Sequence, residues 1–220
     1  MKFLNRGNKP KCLNGLSYKK KNWCDLKPDE REEIWKSIYE MQGDFCAYCE
    51  CKLDKARHIE HFEPRKNNRR LTFEWDNLFG SCGRTSRCGH YKDGSKAKAY
   101  EIENILKPDI DDPHNYFIFN SNGRISPRKD LSILNTKKAE ETIRVFNLDH
   151  DAEIVGRRRN AIRLILEEVK VLYGLFDEVE KENISLDDWN SLRDDLINQI
   201  KGGEFEGVLI NYMFNGYNYL

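Results

Sequence analysis

Cysteine spacing is the feature of this sequence that most restricts what it can fold into. Five of its seven cysteines fall between residues 46 and 88. Cys46 and Cys49 form a CxxC pair, a spacing that lets two thiolates hold one zinc ion. Cys82 and Cys88 form a second pair with a longer insertion, and four such sulfurs can close a tetrahedral site with no open position. The cysteines therefore predict a zinc-stapled region in which zinc is structural.

Other interpretations of the cysteines stay open at this level. A CxxC pair also occurs in thiol oxidoreductases, and cysteines are often simply buried in a core. A disulfide framework is less suitable, because an odd number of cysteines would leave one thiol over. Cys51 is an alternative zinc ligand, whereas we expect Cys12 and Cys24 to be free thiols.

Composition limits the class of protein. Of the 220 residues, 39% are hydrophobic and 34% are charged, so a core can form under a very polar surface. The chain has no run of about 18 apolar residues, which a membrane helix needs. Its first residues also lack the apolar run of a signal peptide. We therefore expect a cytoplasmic protein.

Charge is balanced overall but unevenly distributed. Residues 1–22 carry seven basic residues and no acidic one, and residues 52–98 carry twelve basic against six acidic. Residues 176–220 carry ten acidic against three basic. A basic front suggests contact with a polyanion such as nucleic acid. The alternative is that the two ends complement each other within the fold.

Local patterns predict an α+β, mainly helical fold. Pro28 and the acidic residues after it predict a helix that Gly43 ends. Residues 58–62 predict a short strand, and Trp75, Leu78 and Phe79 are expected in a short helical or turn segment. Further along, we expect a hairpin over 113–127 with an Asn122-Gly123 turn, and helices at about 131–146, 151–176 and 186–200, the last capped by Ser185.

The segment His58-Ile59-Glu60-His61 carries the candidate catalytic residues. Side chains alternate along a strand, so His58 and Glu60 share one face and His61 takes the other. A carboxylate binds a hard divalent ion and a neutral imidazole accepts a proton from water, which suits phosphodiester hydrolysis. A lone Glu-His pair is commonly just polar surface. Its position between two cysteine pairs, with Asn77 and His90 nearby, favours a site.

These motifs, in this order, resemble the HNH endonuclease family with its ββα-metal fold. Within that family the chain resembles PtuB, the HNH subunit of Septu-type antiphage defence systems, including those that accompany retrons. The resemblance rests on four segments: Cys46-x-x-Cys49; His58-Ile59-Glu60-His61-Phe62-x-Pro64; Trp75-x-Asn77-Leu78-Phe79-x-Ser81-Cys82; and Cys88-x-His90-x-Lys92. It implies a small zinc-stapled HNH core followed by a helical region.

The resemblance implies a role for each residue. His61 would be the general base, Glu60 a ligand of a catalytic Mg²⁺ or Mn²⁺, Asn77 the residue that orients the base, and His90 the second metal ligand. The four paired cysteines would hold the structural zinc. The sequence departs from the pattern at Gly89, where asparagine is frequent, so His58 stays an alternative second ligand.

Basic residues around this segment are candidates for contacts with nucleic-acid phosphates, which supply affinity but little sequence information. The alternative for each is an ordinary solvated surface residue. The candidates are Arg57, Arg65, Arg69, Arg70, Arg84, Arg87 and Lys92, with Lys96 and Lys98. Nothing in these motifs separates DNA from RNA as the substrate.

We expect three parts: a basic N-terminal arm (1–27), the HNH nuclease core with its hairpin (28–128) and a helical C-terminal region (129–220) that binds partners. The resemblance implies an ABC-type or OLD-like ATPase (PtuA-like) as partner, and in retron systems a reverse transcriptase with its RNA–DNA product. Candidate interface anchors in the tail are Tyr212, Phe214, Tyr217 and Tyr219. The rival functions are a non-catalytic zinc module and a thiol oxidoreductase using the CxxC pair.

Overall fold

The predicted α+β class is confirmed by the structure, a computed structural model that describes residues 1–95, 97–181 and 184–216. Its helices and strands are α1 (Pro28–Gln42), β1 (His58–His61), β2 (Leu78–Ser81), α2 (Cys88–Asp93), β3 (Phe117–Phe119), β4 (Ile125–Pro127), α3 (Ile133–Val145), α4 (Ala152–Glu180), α5 (Leu186–Ile200) and α6 (Glu206–Asn211). Short 3-10 turns lie at Lys11–Leu13, Trp23–Asp25, Arg69–Phe73, Trp75–Asn77, Ile102–Asn104 and Pro113–Asn115, and a π-helical turn lies at Tyr212–Gly216. Among the described helices, none combines the length and apolar character that crossing a bilayer requires.

Helix α1 begins and ends as its sequence predicts. Pro28 occupies the first turn, where a missing N–H costs nothing, and the Glu30 carboxylate accepts a hydrogen bond from the Lys27 N–H at 2.7 Å. Gly43 ends the helix with a φ of +69°, a conformation that favours glycine. The buried face, which includes Ile34 and Ile38, packs against β2.

The first sheet pairs β1 with β2 in antiparallel register. Glu60 lies opposite Phe79 and His61 opposite Leu78. The expectation that Leu78 and Phe79 lie in a helical or turn segment is therefore wrong. The 3-10 turn stops at Asn77, and the following residues pair with β1 because this buries both side chains completely.

The second sheet is the predicted hairpin of β3 and β4. Gly123 adopts a φ of +83° in its turn, and the Gly123 N–H donates to the Asn120 carbonyl at 2.8 Å. After the hairpin, the predicted helices α3, α4 and α5 begin at side-chain caps. These caps are Ser132, Asp151 and Ser185, each accepting a backbone N–H from the first turn.

The chain after α5 forms α6 and a π-helical turn, which the composition of this segment does not predict. The amide side chain of Asn211, at the end of α6, donates to the Phe117 carbonyl at 2.9 Å and accepts from the Phe119 N–H at 3.1 Å. This docking buries Tyr212 completely, so its expected role as an interface anchor is wrong. Phe214 is exposed, as an anchor requires. Tyr217 and Tyr219 lie outside the described residues.

The N-terminal arm is irregular, as expected, but it is packed rather than loose. Leu4, Leu13, Trp23 and Leu26 are buried in the same hydrophobic cluster as the strands and the C-terminal helices. Trp23 reaches the catalytic segment, which gives the arm a part in the site described next.

Candidate metal centre and catalytic cleft

The four paired cysteines converge on one point. Their sulfur atoms all lie within 4.8 Å of one another, and the Sγ atoms of Cys49 and Cys82 are 3.9 Å apart. All four side chains are buried, and none forms a disulfide. Four buried thiols in this arrangement match the donor set of a structural zinc site. In the part of the chain that the structure describes, no other group brings three or more such ligands so close together.

The backbone explains how residues far apart in the chain meet here. Cys46 and Cys49 lie in a tight turn in which the Glu50 N–H donates to the Cys46 carbonyl at 3.0 Å. The Ala47 N–H donates to the Gly80 carbonyl, also at 3.0 Å, which ties this turn to the end of β2. Cys82 follows β2 directly, and Cys88 is the first residue of α2. The insertion between Cys82 and Cys88 loops outward, so the longer spacing still closes the site.

The electrostatics of the cluster favour a bound cation. Burial raises the pKa of the Cys46 and Cys88 thiols, whereas hydrogen bonds from the other thiols lower the pKa of Cys49. Several thiolates cannot coexist at this spacing in a buried place without a positive charge between them. Burial also argues against a redox CxxC pair, which needs an accessible sulfur.

The remaining cysteines fall outside the four-sulfur group. Cys51 is buried beside it, Cys12 is partly exposed and Cys24 is exposed, all three without disulfides. The alternative ligand role of Cys51 is therefore unnecessary for a four-coordinate site.

A cleft of about 600 Å³ lies over β1 and the start of α2. His58, Glu60, His61 and His90 all line it. Although side chains alternate along β1, Glu60 and His61 still line the same cleft. Both are buried at the end of this strand, beside α2. The structure thus brings three of the four expected catalytic side chains, Glu60, His61 and His90, to a single opening together with His58.

The His61 ring is held in one orientation. Its Nε2 lies 3.0 Å from the Thr72 carbonyl oxygen, which can only accept a hydrogen bond, so Nε2 carries the proton and Nδ1 keeps a lone pair. The Trp23 indole packs edge-on against this ring with the centroids 4.5 Å apart. Burial lowers the pKa of His61 to about 4. The imidazole is therefore neutral near pH 7, the form that can accept a proton.

Glu60 is a buried carboxylate with two partners. Lys92 Nζ lies 2.8 Å from its Oε1, and His58 Nε2 lies 3.0 Å from its Oε2. Burial opposes the charged form, but the charge of Lys92 and the hydrogen bond from His58 outweigh it and hold the pKa of Glu60 below its usual range. Burial disfavours a charged Lys92 as well, but the negative charges of Glu60 and Asp93 together outweigh it and raise the pKa of this lysine.

Glycine at position 89 has a steric reason. A Cβ atom there would lie 2.2 Å from Glu60 Oε2 and 2.9 Å from His58 Nε2. Any larger residue would displace the carboxylate. This contact explains why glycine, rather than a residue with a side chain, stands at this position.

Two histidine rings lie beside the Glu60 carboxylate in the cleft. The His58 and His90 rings stack with centroids 3.8 Å apart, and His58 Nδ1 is buried with no hydrogen-bond partner among the described residues. His90 is exposed to the cleft, and burial of its inner part lowers its pKa. One carboxylate and two imidazoles thus line the same cleft, but they are not gathered as closely as the four cysteine sulfurs.

Asn77 has the contacts of a loop-holding residue. Its amide donates to the carbonyl of Glu63 at 3.1 Å and of Leu71 at 3.3 Å, and its Oδ1 accepts from the Glu63 N–H at 2.8 Å. These bonds fix the loop that follows His61. Asn77 does not line the cleft, so it acts on the site through this loop.

The expected phosphate-contacting residues divide into two groups. Arg65, Arg69 and the previously unassigned Lys66 line the cleft. Three others are exposed but do not line the cleft: Arg70, Arg84 and Lys98. Arg57 is also exposed, and its guanidinium lies over the rings of Trp35 and Tyr39, 5.0 and 5.6 Å from their centroids. Lys96 lies outside the described residues.

The expectation that Arg87 and Lys92 contact nucleic acid is wrong. Both are buried, Arg87 beside Asp151 at 3.0 Å and Glu153 at 3.1 Å, and Lys92 beside Glu60. A buried cation that already has a carboxylate partner is not available to a phosphate.

Sequence reasoning missed the second wall of the cleft. Tyr18, Lys21, Asn22 and Trp23 line it from the N-terminal arm. The lysine run at 19–21 was the signal that could have pointed to them. Their closeness to His61 is visible only in the folded chain.

Comparison with known proteins supports the resemblance to PtuB. No protein-family model matches the chain. The Septu protein PtuB of Bacillus thuringiensis is 36% identical to it over 83 residues, a segment that covers 36% of this chain and 30% of that protein. The similarity is therefore partial, and it spans less than a third of the relative's length.

Proposed function

We propose that this chain is a metal-dependent HNH endonuclease that hydrolyses phosphodiester bonds of nucleic acid. The observation that carries the proposal is a single cleft in which a neutral, oriented histidine lies beside a carboxylate with two further histidines and unpaired arginines. A non-catalytic zinc module has no need of this combination.

Each residue of the site has a separate role in the proposed hydrolysis. His61 accepts a proton from the attacking water at Nδ1, while the Thr72 carbonyl holds Nε2. Asn77 fixes the loop beside it. Glu60, with His58 or His90, would hold Mg²⁺ or Mn²⁺, and Lys92 keeps the Glu60 carboxylate charged. A bound divalent ion would stabilise negative charge on the phosphate and the leaving oxygen.

We also propose that the four-cysteine cluster binds zinc as a structural staple. It joins the turn at Cys46–Cys49, the end of β2 and the start of α2. Helix α2 lines the cleft, and β2 pairs with β1, which lines it too. A cytoplasmic location, where thiols stay reduced, is consistent with this role.

The biological setting that we propose is a Septu-type antiphage system. Its support is the partial similarity to PtuB, whose name marks it as a Septu protein. In such a system the partner is a PtuA-like ATPase of the ABC or OLD type, and a retron reverse transcriptase with its RNA–DNA product is a further candidate. The helical region from residue 129 onward, with exposed Leu164 and Phe214, is the part we assign to partner binding.

The test is cleavage of DNA and RNA by the purified chain, with Mg²⁺ or Mn²⁺ and again with EDTA. We expect cleavage that needs the metal and that His61→Ala reduces by about 100-fold or more. His114→Ala is the matched control, because His114 is partly buried outside the cleft. Equal activity in His61→Ala would refute the proposal.

One observation favours the rival function, a non-catalytic zinc module. Lys92 and His58 already lie as charge and hydrogen-bond partners beside the Glu60 carboxylate without any divalent ion, as expected if the carboxylate were only structural. Titration with Mn²⁺ separates the two functions. The nuclease proposal requires a Mn²⁺-binding site that is lost in the double variant His58→Ala, His90→Ala. The rival function predicts that the protein binds zinc and no Mn²⁺.

A further inference from the structure

The N-terminal arm forms a fixed wall of the cleft. Trp23 is buried against His61 and Phe73, with ring centroids 4.5 and 6.1 Å away. Lys21 Nζ lies 2.8 Å from a Glu30 carboxylate oxygen on α1, and the Lys21 N–H donates to the Ser17 carbonyl at 3.0 Å. These contacts hold the turn that carries Tyr18 in place before any substrate arrives.

Tyr18 is an aromatic ring that this turn presents to the cleft. It is only partly buried, and no described residue pairs with its hydroxyl. Lys19 and Lys20, which follow it, are exposed. A half-exposed aromatic side chain without a partner, lining the same cleft as the candidate general base, is suited to stack against a planar group of the substrate.

A second part of the cleft lining, formed by the loop after Pro64, carries unpaired positive charge. Arg65, Lys66 and Arg69 line the cleft, are exposed and make no ion pair with the described residues. The two acidic side chains in the cleft, Glu60 and Asp93, are both paired with Lys92. The net field on a bound ligand is therefore positive on this side.

From these two walls we infer that the cleft takes a single, unpaired nucleic-acid strand, with one base stacked on Tyr18 and its phosphates along Arg65, Lys66 and Arg69. The inference rests on the proposed nuclease function and names its substrate class. A cationic groove with an aromatic ring beside it is the combination that binds single strands without sequence preference.

Duplex nucleic acid fits this site poorly. In a duplex both faces of each base are covered by neighbouring bases, so Tyr18 would have nothing to stack on unless a nucleotide were extruded. The cleft volume of about 600 Å³ is that of a ligand pocket, and both the N-terminal arm and the loop after Pro64 line it. The scissile phosphate must then lie in an unpaired segment, such as a loop, a bulge or an end.

The experiment measures binding separately from cleavage. The full chain carrying His61→Ala is titrated against three labelled probes of about 16 nucleotides: a single strand, the matching duplex and an abasic strand with the same phosphates. We expect the single strand to bind best. Adding Tyr18→Ala should raise its Kd on the order of tenfold, and should leave the Kd of the abasic strand unchanged.

Two variants control this measurement. Tyr18→Phe keeps the ring and loses the hydroxyl, so it should restore the affinity if stacking is the cause. Tyr116→Ala removes a partly exposed tyrosine outside the cleft and should not change the Kd. Thermal melting of each variant identifies any loss of fold.

The outcomes separate the inference from the function. An unchanged Kd in Tyr18→Ala, equally tight binding of the duplex, or no binding of any probe overturns the inference. If wild type cleaves while Tyr18→Ala binds the strand normally, the nuclease proposal stands and only the substrate class is wrong. If wild type cleaves nothing with Mg²⁺ or Mn²⁺, the nuclease proposal itself is wrong.

Discussion

At the scale of residues, the geometry of the cleft depends on a few specific contacts between neighbouring residues. Gly89 leaves the space that the Glu60 carboxylate occupies, Lys92 supplies its counter-charge, and Thr72 sets the tautomer of His61. The sequence motif contains the reacting residues and Lys92, but it does not show which group contacts which. Two substitutions test these contacts.

Gly89→Ala should both destabilise the protein and reduce cleavage. The new methyl group would overlap Glu60 Oε2, and overpacking of this kind costs about 1–3 kcal/mol. Urea unfolding measures the loss. Gly156→Ala in α4 is the control, since a Cβ there meets nothing within 4 Å, and this change should stabilise the helix by about 0.5–1 kcal/mol. Equal effects at both positions would contradict the contact.

Lys92→Met should be among the most damaging changes in the core. It leaves the buried Glu60 carboxylate without its cation, and breaking a buried pair from one side costs about 3–5 kcal/mol. The free energy of unfolding in urea is the measurement. Lys98→Met removes an exposed lysine and should change it by less than about 0.5 kcal/mol. A surface role for Lys92 would make the two variants alike.

At the scale of elements, the two short strands and α2 are too small to stand alone. A two-stranded sheet is marginal in water, and α2 has only six residues. The cysteine cluster joins the ends of these elements, and the Gln42 amide of α1 bonds both the N–H and the carbonyl of Gly80 in β2, at 3.0 and 2.9 Å. The staple therefore carries much of the order in the cleft.

Removal of metal should loosen this part of the chain first. We expect purified protein to contain stoichiometric zinc, and a strong chelator to lower the melting temperature and abolish cleavage, because four buried thiols lose their common partner. Cys82→Ser should prevent zinc binding, measured by native mass spectrometry. Cys24→Ser, at an exposed thiol, should retain it. Full stability without zinc would rule out the staple.

At the scale of the whole molecule, the long helix α4 is joined to the cysteine loop by Arg87. Arg87 lies in the loop between Cys82 and Cys88 and directly precedes Cys88 in sequence. It is only 1% exposed, and it pairs with Asp151 and Glu153 at the start of α4. Asp151 also caps the helix by accepting the Ile154 N–H at 2.9 Å. The C-terminal region and the metal centre therefore share one buried ion pair.

Arg87→Met should weaken that connection. The buried Asp151 would lose its cation, and we expect a loss of about 3 kcal/mol in the free energy of unfolding. Hydrogen exchange should rise at the start of α4 as well as in the cysteine loop. Arg84→Met is the control, because Arg84 is exposed and lies 3.8 Å from Glu153. Exchange confined to the loop would show that the two regions are independent.

The sequence by itself determined the parts of this protein that depend on near neighbours. Helix α5 begins at the predicted cap Ser185, α1 begins at Pro28 as predicted, and α3 and α4 lie where their periodicity predicts, because capping and helix pairing act over three or four residues. The set of four cysteines was also determined, because thiolate ligands come in a recognisable spacing.

Only the tertiary structure decided which side chains are buried together. Arg87 and Lys92 belong to the same basic stretch as Arg65 and Arg69, yet the first two are core ion pairs and the last two line the cleft. Burial of Tyr212 and the packing of Trp23 against His61 depend on segments that are remote in sequence. A local pattern records what a residue can do, whereas desolvation and contact depend on the partners that folding brings to it.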